Sequence, residues 1–209
     1  MESGHRNFGL MEMSAIREMA NIGLGHATTA LATVTGKGFN MEIPNVETVA
    51  FERVPLMFGD PEETAVGICM PIEGDINGHT AFLFPWASAQ QLWQLLIGYA
   101  PETPDEIDEL SASAMLEIGN IVSSSFLNAI SDMSGLKLHA TPPMVSVDIV
   151  YSIAASIVAE AEIEDAVALA LETRLYGLEG LDITGYFLCV PTMGGLNKLF
   201  HALGIPEAA

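Results

Sequence analysis

The chain has 209 residues, half of them hydrophobic and 16% charged, a balance that excludes an intrinsically disordered polymer and leaves enough length to bury a core. Seven Lys and Arg oppose 27 Asp and Glu. The formal net charge of −20 repels phosphate backbones and anionic lipid, so neither nucleic acid nor membrane insertion is expected.

The N-terminal MESGHRNFGL has no apolar core segment and no small-residue cleavage site, which places the expected protein in the cytoplasm. From residue 13 to about 34, apolar side chains recur at Ile16, Met19, Ala20, Ile22, Leu24, Ala27, Ala30 and Leu31, predicting a long helix with one face on the core. Ser14, Glu18 and Asn21 follow at i, i+4 and i+7 and stack along one line of it. GLG at 23–25 follows no strand and lacks a third glycine, so it predicts helix packing rather than a nucleotide fingerprint. A short extended segment containing Pro44 and a shorter helix come next. Strands are predicted at 64–72 and 79–84 from apolar or alternating runs bounded by Gly, Pro and Asp.

The uncharged run 76–101 exceeds the roughly 20 residues a membrane helix needs. Pro85, Asn77 and the amides of Gln90, Gln91 and Gln94 disqualify it. Polar APETPDEID at 100–108 joins two halves of the chain, and a second long helix spans about 110–133 with Ser113, Glu117 and Asn120 at the same spacing as before. Beyond it lie an extended segment with Pro143, an apolar helical stretch at 148–160, strands at 166–175 and 182–190, and a closing helix ending at Gly204.

The two halves are copies. Sliding the sequence by 99 positions gives eight identities among the 31 positions 14–44, including Ser14/Ser113, Glu18/Glu117, Asn21/Asn120, Gly36/Gly135 and Pro44/Pro143. An offset of 106 sets AFLFP at 81–85 beside FLCVP at 187–191. Two small units of one design, about 10–103 and 104–206, are expected to share one core about a pseudo-two-fold axis. The expected fold is a single α+β domain over residues 1–209, an antiparallel-rich sheet packed with the two long helices and shorter ones.

The chemistry of each row is limited. Glu on a helix surface is ordinary, but Asn lowers helix propensity and occurs at the same mid-helix place twice; a structural bridge to the segment near Pro44 or Pro143 would also account for it. No His or Cys accompanies either row, which excludes a nucleophilic triad. An amide can orient a water for attack on a phosphoryl group, and a carboxylate can grip a cation, with metal and phosphate arriving on the substrate. No resident metal is expected, because the five His residues never fall at ligand spacing. Cys69 and Cys189, far apart in apolar segments, are expected as free thiols.

The spacing S-x₃-E-x₂-N-x₂₂-P, complete in both copies, resembles the signature of the CheC/CheX/FliY phosphatases, and the resemblance extends over nearly the whole chain with two intact motifs. It implies hydrolysis of the aspartyl phosphate of the response regulator CheY. Asn21 and Asn120 would orient water, and Glu18 and Glu117 would engage a lysine of CheY. Ser14, Ser113, Pro44 and Pro143 would support the motif, and the Mg²⁺ would belong to CheY. The resemblance also implies binding of the receptor deamidase CheD through a helix of the second half; Asp148 is the candidate contact, beside an apolar face of Ile149, Val150, Ile153, Ala154 and Ile157 of a kind that is more often plain core than an interface. This chain departs from many members in having GLGH after the first Asn, which places His26 where an amide is common, and in having Ala20 where the second copy has Gly119. The rival expectation is a non-catalytic binding module that regulates CheD or serves a flagellar switch.

Overall fold

Both long helices start with a cap backbone N–H held by the side chain three residues on, and both end at a left-handed glycine. The computed structural model describes residues 9–38, 40–161, 167–176 and 182–205; residues 1–8 of the N-terminal segment and Ala166, at the expected start of a strand, lie outside them. Helix α1 (Leu10–Thr35) opens with the Gly9 N–H donating to Glu12 Oε2 at 2.7 Å. Helix α3 (Glu109–Ser134) opens reciprocally: the Ser111 N–H donates to Asp108 Oδ1 at 2.8 Å, and the Asp108 N–H to Ser111 Oγ at 2.9 Å. Each stops at a left-handed glycine, Gly36 (φ 65°) or Gly135 (φ 73°), a conformation that side chains with a Cβ resist. One identity between the copies thus has a backbone cause.

The Asp108 cap carries a pH signature. Its carboxylate also accepts the Tyr99 hydroxyl at 2.6 Å, and this bond, with those from Ser111, holds it down to about 2 from the usual 3.8. A carboxyl depressed in the folded state stabilises above its unfolded value and loses that contribution as pH falls toward the folded one. Asp108→Ala should therefore lower Tm at pH 7, with the gap from the parent narrowing between about pH 4 and pH 2 in thermal melts followed by circular dichroism; a gap constant through that window would refute the assignment.

The chain between and after these helices folds into strands β1 (Asn40–Ala50), β2 (Thr64–Gly74), β3 (Gly78–Pro85), β4 (Leu138–Ala140), β5 (Met144–Ile149), β6 (Val167–Tyr176) and β7 (Asp182–Pro191), with helices α2 (Trp86–Ile97), α4 (Val150–Ala161) and α5 (Met193–Ala202). The sheet is antiparallel, in the order β1-β6-β7-β3-β2, and β2 pairs onward with both β4 and β5. Exchanging the halves reverses this order onto itself. The β3/β7 register agrees with the 106-residue offset, because Ala81 opposite Leu188 and Phe82 opposite Phe187 are one another's images. The axis passes between those pairs. Each half also lends its first strand to the other: β1 pairs with β6, and β5 with β2.

Both faces of the sheet are covered, so its central strands read as continuous apolar runs rather than clean alternation. On β3, Phe82 and Phe84 enter the larger core with Ile16, Met19, Leu92, Trp93, Met115, Ile118, Phe126 and Phe200 from the helices. Ala81 and Leu83 enter a second core with Val54, Val150, Ile153, Ala154 and Ile157. Cys189 lies in the first core, its thiol pushed up to about 12 by burial, while Cys69 packs against the second; no disulfide joins them, and they stand on opposite faces.

The segments expected to be short and extended are the points of difference. The first is a strand of 11 residues whose register shifts between Glu42 and Asn45, around Pro44. Its counterpart is interrupted at 141–143, where Pro142 and Pro143 separate β4 from β5. Proline cannot donate to a ladder, so each copy accommodates it at an edge irregularity. The shorter helix of the first half is a 3₁₀ segment, Phe51–Phe58, with Pro55 inside it, and a 3₁₀ turn, Pro104–Glu106, sits in the joining segment.

Candidate active site

On α1, the apolar positions Ile16, Met19, Ala20, Leu24, Ala27 and Leu31 are buried, which turns Ser14, Glu18 and Asn21 to solvent. On α3, burial of Met115, Ile118, Gly119 and Val122 does the same for Ser113, Glu117 and Asn120. The helices meet where Gly23 faces Phe126: a Cβ at Gly23 would come within 2.7 Å of the Phe126 Cα, so the absent side chain sets their separation. Of the GLG triplet, Gly23 serves packing as expected, whereas Gly25 faces open space. Gly119, where the first copy departs with Ala20, is also a matter of contact, since a Cβ there would lie 2.4 Å from Ile68 Cγ2.

The second copy is assembled in one place. Ser113, Glu117, Asn120 and Pro143 line an open depression of about 490 Å³ together with Leu116, Ala140, Thr141 and Pro142. Its wall is the break between β4 and β5, so the prolines that interrupt the strand also shape the site. In the first copy, Pro44 is exposed at the irregularity of β1, the strand that packs along α1. Sequence reasoning missed Leu116, Ala140, Thr141 and Pro142; the tandem prolines of TPP were the available signal.

Among the described residues, no hydrogen bond or ion pair ties the side chains of Ser14, Glu18, Asn21, Ser113 or Glu117. The bridge from Asn to the proline segment, the structural alternative for the duplicated amide, is not formed. Asn120 alone has a partner: Ser124 Oγ, one turn on, donates to its Oδ1 at 3.5 Å. The copies differ around this geometry. Ser124 corresponds to Gly25, and Leu116, in the wall of the depression, corresponds to exposed Arg17. His26 is exposed on α1.

Asp148 lies in β5, exposed and opposite Ala65, with the Ile149 N–H donating to its Oδ1 at 2.7 Å. It therefore belongs to the strand before α4, not to the helical stretch of the sequence reading. Val150, Ile153, Ala154 and Ile157 of α4 are buried in the second core and form no docking face; Tyr151 and Ala155 point outward. Among the described residues, no group of three or more His, Cys, Asp or Glu is arranged to hold a metal ion, and no helix is long and apolar enough to cross a membrane.

These features define a duplicated α+β protein that shows two helix-borne acid–amide rows to solvent. The chain is similar to the CheC-like family, whose model matches residues 11–47 and 110–147, the segments that hold both rows. It is 29% identical over 196 residues to the CheY-P phosphatase CheC of Bacillus subtilis, covering 92% of this chain and 94% of that protein. The fold matches that of Thermotoga maritima FliY with a TM-score of 0.76 at 19% identity, over 95% of this chain and 98% of that one. It also matches a chain of the CheX–CheY–BeF₃–Mg²⁺ complex from Borrelia burgdorferi, with a TM-score of 0.52 at 15% identity, over 83% of this chain and 98% of that one.

Proposed function

We propose that this chain is a cytoplasmic phosphatase that hydrolyses the aspartyl phosphate of the response regulator CheY, using Glu18 with Asn21 and Glu117 with Asn120 at two quasi-equivalent sites. The observation that carries this reading is the depression in which Glu117 and Asn120, open to solvent and without a structural task that would consume them, stand beside Pro143. The name of the Bacillus subtilis relative supports the choice of substrate.

The side chains fit the division of labour. An amide takes no proton, but its oxygen accepts from a water while its nitrogen donates toward a phosphoryl oxygen, holding the nucleophile in line. Water oxygen bonds to phosphorus as the bond to the aspartyl oxygen breaks; the regulator's aspartate leaves as a carboxylate and the water's protons pass to phosphate and solvent. Glu18 and Glu117, one turn from the amides, pair with a cation of the regulator and set the approach. Each row has one carboxylate, too few for a metal cage, so the Mg²⁺ that neutralises phosphoryl charge in such transfers belongs to CheY.

The rival, a scaffold that regulates CheD, finds its candidate contact in exposed Asp148 and requires neither asparagine. Adding the purified protein to phosphorylated CheY with Mg²⁺ should shorten the lifetime of the phosphoprotein with matching release of phosphate. An unchanged lifetime would eliminate the phosphatase.

A further inference from the structure

The N-terminal end of each row carries a feature that the hydrolytic chemistry leaves unused. Met11 and Leu110 are large apolar side chains with 65% and 55% of their surface open to water. The 99-residue shift superposes them, and each is the second residue of its helix, three before the motif serine. Residues at spacings of three, seven and ten share one stripe of a helix, so Met11 continues the line of Ser14, Glu18 and Asn21, and Leu110 that of Ser113, Glu117 and Asn120.

Neither side chain has a local task. Capping of the helix starts falls to the next residues, Glu12 and Ser111, and the core beneath is filled by Ile16, Met19, Met115 and Ile118. A lone exposed hydrophobe needs no explanation. Two at equivalent places, each continuous with a functional row, do. The neighbours at these helix starts have diverged, Leu10 against Glu109 and Glu12 against Ser111, while size and apolarity persist at the second position.

Resting on the proposed phosphatase reading, we infer that Met11 and Leu110 are apolar anchors that seat the phosphorylated regulator, each entering an apolar patch beside its phosphoaspartate. At the second site, charge defines the rim of that patch. Asp105, Glu106, Asp108 and Glu109 are exposed just before Leu110, and Glu117 lies two turns after it, so the complementary face is an apolar centre bordered by Lys or Arg. Contact made there, away from the reacting atoms, is present equally before and during the reaction, so it sets affinity for the regulator rather than the rate of the chemical step.

The test isolates one site at a time. In an Asn21→Ala background, Leu110→Ser should raise KM for phospho-CheY about tenfold, the scale of removing one buried aliphatic group, with kcat within about twofold of its background. Leu110→Met should restore the original KM. Met11→Ser in an Asn120→Ala background should repeat the effect at the first site. A fluorescence titration with beryllofluoride-activated CheY reads the same contact without turnover and should show Kd weakened to the same extent. Unchanged KM and Kd in both serine variants, with hydrolysis still dependent on the asparagines, would overturn the anchor and leave the phosphatase standing. A fall in kcat alone would also overturn it, as a structural effect. Hydrolysis indifferent to both asparagines would instead remove the phosphatase reading, and a parent that does not bind activated CheY removes both.

Discussion

Replacing Asn21 and Asn120 together with Ala should lower phosphate release from phospho-CheY by on the order of 10² to 10³, the usual effect of losing a well-placed polar group at a developing charge. Both amides are exposed and form no bridge to the rest of the fold, so their removal should leave Tm unaltered and the loss will be catalytic. The single variants should be unequal. Asn120 sits in a walled depression with Ser124 donating to its oxygen. Asn21 has Gly25 in place of that serine, and exposed Arg17 stands where the second site has the wall residue Leu116. Asn120→Ala should therefore remove the larger share of activity, measured as initial rates at matched CheY concentration. A double variant as fast as the parent would end the catalytic assignment of both amides; equal single variants would end the claim that the second site is better organised.

The second large effect concerns stability. Phe126 is buried at the meeting of α1 and α3, its ring 4.8 Å from Phe187, which in turn lies 5.8 Å from Phe82. Phe126→Ala should destabilise the protein by about 3–5 kcal/mol, because transfer free energy is lost and a cavity is left in the larger core. Gly23→Val acts on the same contact from the other side. A Cβ there meets backbone, which cannot rotate away, so overpacking should destabilise by about 1–3 kcal/mol. Urea unfolding monitored by circular dichroism gives both values. Their consequences for activity should differ: Phe126→Ala leaves the rows in place and should retain activity per folded molecule, whereas Gly23→Val shifts the helix that carries Asn21. A loss below about 1 kcal/mol in Phe126→Ala would mean that this crossing does not support the core.

Much of this architecture was legible because the duplication could be read twice. The 3.6-residue pattern located α1 and α3, and short apolar runs bounded by Gly, Pro and Asp located β2, β3 and β7. Local chemistry was harder to read where prolines interrupted it. The segment around Pro44 reads as short and extended, and only pairing with β6 across the molecule reveals an 11-residue strand with a shifted register. The same cause split its counterpart into β4 and β5. The apolar face of α4 illustrates another boundary of local reading: periodicity favours a core for such a face without naming its partners, and the second core supplies them.

The sequence by itself determined which residues recur, Ser, Glu and Asn at helical spacing with Pro beyond them, and that no second catalytic group accompanies them, since spacing along a helix is a local property. Tertiary structure decided that the two halves exchange their first strands, that all six members of the two helix rows face water, and that a proline-broken edge strand folds against α3 to make the wall of the second site. These are long-range pairings, in which partners about 100 residues apart meet only because burying both faces of one sheet is more favourable than burying either half alone.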